Sequence, residues 1–220
     1  MELVVLNVGY PFAPVGPEIF GDAEKTLARL DSALARAGHE SFVMACEGSV
    51  TEGILLATPK PSGRLDEAER FRIHEQYRFT LQSFLKKWPI DLIHMHGLDF
   101  YEYLPEPGVP VLVTLHSPIE RYPETIFHLN RPQTFLHCPS TAQHLACPPC
   151  ENLLAEAGDG APIEKYLAIY ERLVEEARAL EAATEAANVQ LQENLSATPE
   201  PILGGSKIAD YSFLTPLPQE

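Results

Sequence analysis

The sequence predicts an α/β fold with a Rossmann-like, mostly parallel sheet and helices on both faces, formed by residues 1–150. A connector at 151–162, a long acidic helix at 163–195 and an irregular tail at 196–220 are predicted to follow. Short apolar runs alternate with helical patterns through the first 150 residues, which is typical of repeated βα units. Most of these runs are continuously apolar, as expected of strands that helices cover on both faces. A composition of 45% hydrophobic and 21% charged residues supports a core of ordinary size.

Six apolar runs are the candidate strands. They are residues 3–9, 41–45, 54–57, 91–96, 109–115 and 134–138. Parallel strands bring their carboxyl ends to one edge of the sheet, which is where ligands bind in folds of this class. The residues that follow each run are therefore the first candidates for a functional site.

Two helices are predicted between these strands. The first covers 22–37, where leucines recur at helical spacing and Gly38 follows as a C-terminal stop. The second covers 66–87, with Asp66 as N-cap and Glu69 three residues later in a capping-box arrangement. The apolar positions expected to pack on the sheet are Leu27, Leu30 and Leu34 in the first helix and Phe71, Tyr77, Leu81 and Phe84 in the second.

The third predicted helix is acidic, since the chain beyond residue 150 holds thirteen acidic and four basic residues. Its first half carries an apolar stripe with three-four spacing, which predicts docking on the preceding domain. Pairing with a partner chain or with a second copy through 163–195 is the alternative. The stripe consists of Ile163, Tyr166, Tyr170, Leu173, Ala177 and Leu180.

Charge and hydropathy exclude several classes of protein. The formal net charge is −15, from 31 acidic and 16 basic residues, and no basic stripe is segregated, so nucleic acid is not expected as a partner. The N-terminus begins an apolar run at once, without the basic region and cleavage site of a secretory signal. No run approaches the ~20 apolar residues of a membrane span. The sequence therefore predicts a cytoplasmic protein without a transmembrane segment.

The loop from Asn7 to Glu24 joins the first strand to the first helix and is rich in glycine and proline. Glycines permit close backbone approach, and free N–H groups at a helix N-terminus can bind an anion. The alternative is that these residues only shape a long connection. His94, His96 and His116 fall near the ends of two further strands, where a functional and a purely structural role are both open.

Four segments together resemble a known family. They are VLNVGYPFAPVGPEIFGDAE, RAGHE (36–40), DLIHMHGLDFYEYL (91–104) and VPVLVTLHSP (109–118). The set resembles the N-terminal domain of family 4 glycosyltransferases, which are retaining enzymes of the GT-B architecture with two Rossmann-like domains across a cleft. The resemblance implies hexosyl transfer from a nucleotide-activated sugar to a sugar acceptor. No metal and no cofactor are predicted.

The resemblance also assigns roles to individual residues. His116 matches the strand-end histidine that contacts the transferred sugar near the reacting carbon, so it is the catalytic candidate. This sequence departs from the family pattern at Asp22, which follows Gly21 where a second glycine is usual and adds a negative charge near the donor phosphates. The expected substrate-binding residues are Gly16, Gly21, Asp22, Glu24, His96 and Gly97.

The donor-binding motif of the family's second domain is not found in this sequence. Asp159-Gly160 resembles the family's interdomain segment, yet it leads directly into 165–173, which resembles the helix that closes the first domain. The resemblance therefore implies a truncated glycosyltransferase, with its donor-binding domain deleted and weak or no activity alone. A non-catalytic binding or regulatory protein is the alternative.

A second candidate site lies at 137–150, HCPSTAQHLACPPC, where four of the five histidine and cysteine side chains could make a tetrahedral zinc site. A single C-x2-C pair is weak evidence, and His137 and Cys138 would point to opposite faces of a strand. Redox chemistry and buried or incidental cysteines are the alternatives, and no metal site is predicted here.

Overall fold

The described residues form one all-parallel sheet of six strands in the order β3-β2-β1-β4-β5-β6. The computed structural model describes residues 1–61, 63–155 and 163–196, so most of the predicted connector and tail lie outside the described residues. The strands are β1 (Val4–Val8), β2 (Glu40–Cys46), β3 (Ile54–Thr58), β4 (Leu92–Met95), β5 (Val111–Thr114) and β6 (Thr134–His137). Strand order reverses between β1 and β4, which makes the carboxyl edge between them the switch point where ligands bind in open parallel sheets.

Four α-helices accompany the sheet in the described ranges. They are α1 (Asp22–Arg36), α2 (Glu67–Leu85), α3 (Thr141–Ala146) and α4 (Ile163–Ser196). The predicted N-cap of α2 is confirmed, because the Asp66 carboxylate accepts a hydrogen bond from the Glu69 N–H. Helix α3 was not predicted, since six residues are too few to show a helical period.

The sheet is buried on both faces, as the continuously apolar strands predict. Helix α2 packs on one face, whose buried residues include Leu6, Val8, Tyr77, Leu81, Ile93, Met95 and Val113. Helices α1 and α4 pack on the other face, whose buried residues include Leu3, Val5, Leu30, Leu34, Leu112, Leu173 and Val174.

Two predicted packing positions are wrong. Phe71 is 66% exposed, because the buried stripe of α2 runs through Ile73, Tyr77 and Leu81 and Phe71 lies on another side of that helix. Leu180 is 53% exposed, since burial on α4 ends at Ala177. The remaining stripe positions Tyr166, Tyr170, Leu173 and Ala177 are buried as predicted, and the side chain of Ile163 lies outside the described residues.

A buried carboxylate ties α1 to the connection between β2 and β3. Asp31 has no exposed surface and accepts hydrogen bonds from the Ser41 hydroxyl at 2.7 Å and the Glu52 N–H at 2.7 Å. Its Oδ2 also accepts from the Gly53 N–H at 3.1 Å. A Cβ on Gly53 would lie 2.4 Å from the Ser41 carbonyl oxygen, so this close approach requires glycine.

A second polar anchor holds the segments on either side of β5. The Arg131 guanidinium is largely buried, and burial lowers its pKa to about 10. It donates hydrogen bonds to the carbonyl oxygens of Pro105, Glu106, Val109 and Pro132 and to the Thr134 hydroxyl. Five donors in one planar group allow this many acceptors to be satisfied together.

The chain divides into two compact units, Met1–Ala179 and Leu180–Glu220. In the second unit the described residues continue α4 to Ser196, and side chains 180–193 are exposed. Leu180, Val189 and Leu191 are among them. No helix in the described ranges has the length and hydropathy needed to cross a membrane.

Candidate functional site

Two histidines meet at the carboxyl ends of β4 and β5. His96 Nδ1 lies 3.1 Å from His116 Nε2, and the two rings are stacked with centroids 5.3 Å apart. The segment around His116 is held by Gln143 of α3, whose side-chain amide donates to the carbonyl oxygens of Leu115 and Ser117 at 2.6 Å each. The predicted strand-end histidines are therefore a hydrogen-bonded pair, and the short helix α3 holds the residues flanking one of them.

The histidine pair is neutral at pH 7. Burial, with smaller contributions from neighbouring histidines, lowers the pKa of His96 well below its usual range and that of His116 to about 4. His96 is 2% exposed and lies behind His116, which keeps intermediate exposure. His96 Nε2 is buried without a hydrogen-bond partner in the described structure. A neutral imidazole can donate or accept one hydrogen bond per nitrogen, so the pair can orient a hydroxyl but lends no full positive charge.

His94 has a structural role. Its Nδ1 lies 2.6 Å from the Tyr170 hydroxyl of α4, and its Nε2 lies 2.7 Å from the Thr114 hydroxyl. The ring is completely buried, and burial lowers its pKa well below the usual histidine range. Thr114 Oγ1 in turn lies 3.3 Å from His137 Nδ1, so a chain of polar groups crosses the face that α4 covers.

The first loop places carboxylates at the N-terminus of α1. Gly21 adopts a φ of 125° and caps the helix without a side-chain hydrogen bond. The Glu24 side chain folds back on it, so a Cβ on Gly21 would lie 1.9 Å from Glu24 Oε2. Burial raises the pKa of Glu24, and the charge of the exposed Asp22 adds to this effect. An incoming phosphate would therefore meet negative charge at a helix end that otherwise favours anions.

The predicted site residues form two groups. His96, Gly97 and His116 lie at the ends of β4 and β5, whereas Gly16, Gly21, Asp22 and Glu24 lie in the first loop. Gly16 is buried and the loop is fastened beside it, because the Val50 N–H donates to the Val15 carbonyl at 2.8 Å. No described hydrogen bond or ring contact joins the two groups.

Gly97 permits a close approach of an aromatic side chain. A Cβ on Gly97 would lie 2.0 Å from the Tyr103 hydroxyl, which donates to Asp99 Oδ1 at 3.2 Å. The other carboxylate oxygen of Asp99 lies 2.6 Å from His74 Nε2 of α2. Residue 97 must therefore be small for the Asp99–His74 pair to keep this arrangement.

Sequence reasoning missed a cluster on the α2 side of the same edge, formed by Tyr10, Phe12, Arg70, His74 and Asp99. A signal was present in α2, where Arg70 and His74 precede the buried Tyr77 by seven and three residues. Residues that lie three or seven positions from a buried residue are on the same side of the helix. Polar side chains at such positions are therefore expected at the edge of the core.

The cysteine segment does not assemble as a metal site. Cys138 Sγ lies 3.3 Å from Cys147 Sγ within the core on the α2 side, whereas His137 contacts Thr114 on the opposite face. The predicted opposition of His137 and Cys138 is confirmed, so the two cannot ligate one ion. Within the described ranges, no three His, Cys, Asp or Glu side chains are grouped to hold a metal.

A doubly wound parallel sheet with polar side chains at its carboxyl edge defines an α/β protein of the Rossmann-like class. Residues 23–147 match the profile of Glycosyltransferase Family 4, which is more than half of the chain. The protein belongs to this family, as the sequence motifs predict, and its function is glycosyltransferase-like with sugar-related substrates. No curated protein matches the chain.

Proposed function

We propose that this chain forms the acceptor-side half of a glycosyltransferase that transfers a hexosyl unit from a nucleotide-activated sugar. The observation that carries the proposal is the His96–His116 pair, at 3.1 Å, on the carboxyl edge of a family 4 domain. In this proposal His116 contacts the transferred sugar, His96 supports it through their mutual hydrogen bond, and Gly97 follows on the same edge of the sheet. The Gly16 to Glu24 loop lines the neighbouring wall.

The proposed role of His116 is to position the sugar. Because burial keeps the ring neutral, its contribution is an oriented hydrogen bond to a sugar hydroxyl rather than a permanent charge. Such a bond accelerates transfer to the extent that it is stronger in the transition state than in the ground state. The bonds from Gln143 to both flanking carbonyl groups hold the backbone that carries the ring.

The donor-binding wall is proposed to come from protein outside the described residues. The described ranges contain one sheet, the family match ends at residue 147, and α4 packs on the first sheet instead of leading into a second one. The carboxylates of Asp22 and Glu24 also disfavour a diphosphate at the N-terminus of α1. We therefore expect the 220-residue chain alone to be weak or inactive in transfer.

Calorimetry and saturation-transfer NMR on the purified chain test this proposal. Nucleoside diphosphates should bind weakly or not at all, whereas mono- and disaccharides should show saturation transfer that His116→Ala reduces. His128→Ala is the matched control, because His128 is an exposed histidine outside the predicted site. Efficient turnover of a nucleotide sugar by the chain alone would contradict the proposal that the donor-binding wall comes from protein outside the described residues. Sugar binding that is indifferent to His116→Ala would contradict the proposed site.

A second candidate function is partner binding through the second half of α4. Leu180, Val189 and Leu191 are each at least half exposed. Apolar side chains exposed in this way favour the binding of a partner protein along this part of the helix. Light scattering tests association between copies of the chain. A mass of one chain across a wide concentration range would exclude self-association, whereas a dimer that Leu191→Gln dissociates would support it.

A further inference from the structure

The cluster that the sequence did not reveal has the chemistry of a ligand site. Tyr10 and Phe12 follow β1 and contact each other edge to face, with ring centroids 5.2 Å apart. The Phe12 ring also lies 5.4 Å from the His74 ring. Arg70 of α2 places its guanidinium carbon 4.7 Å from the Phe12 centroid and a nitrogen 3.5 Å from the Tyr10 hydroxyl. All of these side chains keep intermediate exposure, so the cluster is open to solvent.

Arg70 differs from the neighbouring arginines of α2 in having no acidic partner among the described residues. Arg72 pairs with Glu69 at 2.7 Å, and Arg78 pairs with Glu75. Asp99, the carboxylate of the cluster, is instead engaged by His74 and Tyr103. In a chain of 31 acidic and 16 basic residues, an arginine whose described contacts are a phenol and an aromatic ring has its charge available for a ligand.

Further basic charge acts near the same point. Burial raises the pKa of Tyr10, with Asp99 and Glu24 adding to the effect, while the positive charges of Arg70 and Arg121 act in the opposite direction. Arg121 is exposed and likewise forms no ion pair within the described part of the chain. Because the carboxylates of Asp99 and Glu24 act at the same point, an anion is favoured here only where it contacts the Arg70 guanidinium directly.

These groups complement one class of ligand. A guanidinium that stacks on a ring is already oriented, and it binds phosphate or carboxylate through two parallel hydrogen bonds. The rings of Tyr10 and Phe12 offer apolar surface for the C–H face of a pyranose, and His74 can hydrogen-bond a hydroxyl. We infer that this cluster binds an anionic sugar as the acceptor, with Arg70 on its phosphate or carboxylate and Phe12 beneath its ring. The inference rests on the proposed function, since it names the acceptor class.

Calorimetry with the full chain tests the inference with four probes: glucose 6-phosphate, glucuronate, glucose and inorganic phosphate. At least one anionic sugar should bind more tightly than both glucose and inorganic phosphate, and its affinity should fall as salt is added. Comparison of glucose 6-phosphate with glucuronate identifies which anion the site prefers.

Two arginine variants distinguish binding at this cluster from a general effect of the protein's charge. Arg70→Gln should weaken binding of the preferred anionic sugar roughly tenfold or more, as expected for loss of a charge-assisted hydrogen bond. Arg72→Gln removes the same charge two residues away on α2, from an arginine that already has a partner, and should leave the affinity unchanged. Phe12→Ala should weaken the anionic sugar more than inorganic phosphate. Circular dichroism confirms that each variant is folded.

Three results would overturn the inference: equal affinity for glucose and both anionic sugars, equal losses in Arg70→Gln and Arg72→Gln, or no binding of any probe. Its failure is distinguishable from failure of the proposed function. Glucose bound through His116 with no preference for anionic sugars would keep the proposed function and reject this inference. Arg70-dependent binding of an anionic sugar, together with saturation transfer from neutral sugars that is indifferent to His116→Ala, would keep this inference and reject the role proposed for His116.

Discussion

Histidines buried on the α4 side of the sheet should make the free energy of unfolding fall steeply in mild acid. His94 and His96 are 0% and 2% exposed, and burial holds their pKa values well below the ordinary value in the folded protein. In the unfolded chain the same histidines take up a proton as pH falls below about 6.5. Because only the unfolded state gains protons, stability present at pH 7 is lost as pH falls through that value.

The magnitude follows from proton linkage. A histidine that stays neutral when folded and has a pKa of about 6.5 when unfolded costs about 2 kcal/mol between pH 7 and pH 5. His94 and His96 together therefore remove about 4 kcal/mol, and His116, with a folded pKa of about 4, adds nearly 2 kcal/mol. This loss of about 6 kcal/mol would leave a protein at the lower end of the ordinary range of about 5–15 kcal/mol marginal or unfolded at pH 5.

Urea unfolding followed by Trp88 fluorescence measures the effect at a series of pH values. His96→Gln removes one titrating group and should reduce the loss of unfolding free energy between pH 7 and pH 5 by about 2 kcal/mol. His128→Gln, at an exposed histidine, should leave the loss unchanged. Comparing the losses, not the absolute stabilities, cancels any pH-independent cost of the substitution. If His96→Gln kept the full wild-type pH dependence, the assignment of this loss to buried neutral histidines would be refuted.

Three further substitutions test the packing in the same urea assay. Asp31→Ala leaves three donors without their acceptor and should lower the free energy of unfolding by about 3 kcal/mol. Its control is Ser32→Ala, which removes only an exposed hydrogen bond and should lower it by less than about 0.5 kcal/mol. Gly97→Ala forces the Tyr103 hydroxyl to move and should cost roughly 1–3 kcal/mol. Adding Tyr103→Phe should recover part of that loss, and additive losses would contradict the steric explanation. Arg131→Lys replaces a planar five-donor group and should cost about 2 kcal/mol, whereas an unchanged midpoint would show that its hydrogen bonds are dispensable.

The strands were predictable because burial on both faces requires continuous apolar runs, and such runs are visible in the sequence. Each of the six strands lies within two residues of its predicted limits. The docking of α4 was equally visible, because a stripe with three-four spacing has to be covered. Phe71 shows the limit of this reasoning, since apolar side chains occur on more than one side of α2 and composition alone did not distinguish the buried side.

Site residues could be predicted from the sequence only where they directly follow a recognisable strand. His96 and His116 each follow a recognisable apolar run, so their meeting at one edge follows from parallel pairing of β4 and β5. Arg70, Phe12 and Asp99 come from three separate segments, and no local pattern brings them together. The position of the Glu24 carboxylate over Gly21 depends on a side-chain rotamer, which sequence spacing does not encode.

The apolar cluster between the sheet and α4 has a consequence for biosynthesis. It joins Leu3 and Val5 of the first strand region to Leu173 and Val174, so the part of this face that α1 leaves open has no cover until α4 has been made. At about 5–20 residues per second, the ribosome needs roughly 10–30 s to add the residues in between. During that interval the nascent sheet presents an apolar strip, from which aggregation can begin. A message that ended before Tyr166 would yield a chain exposed to aggregation for its entire lifetime.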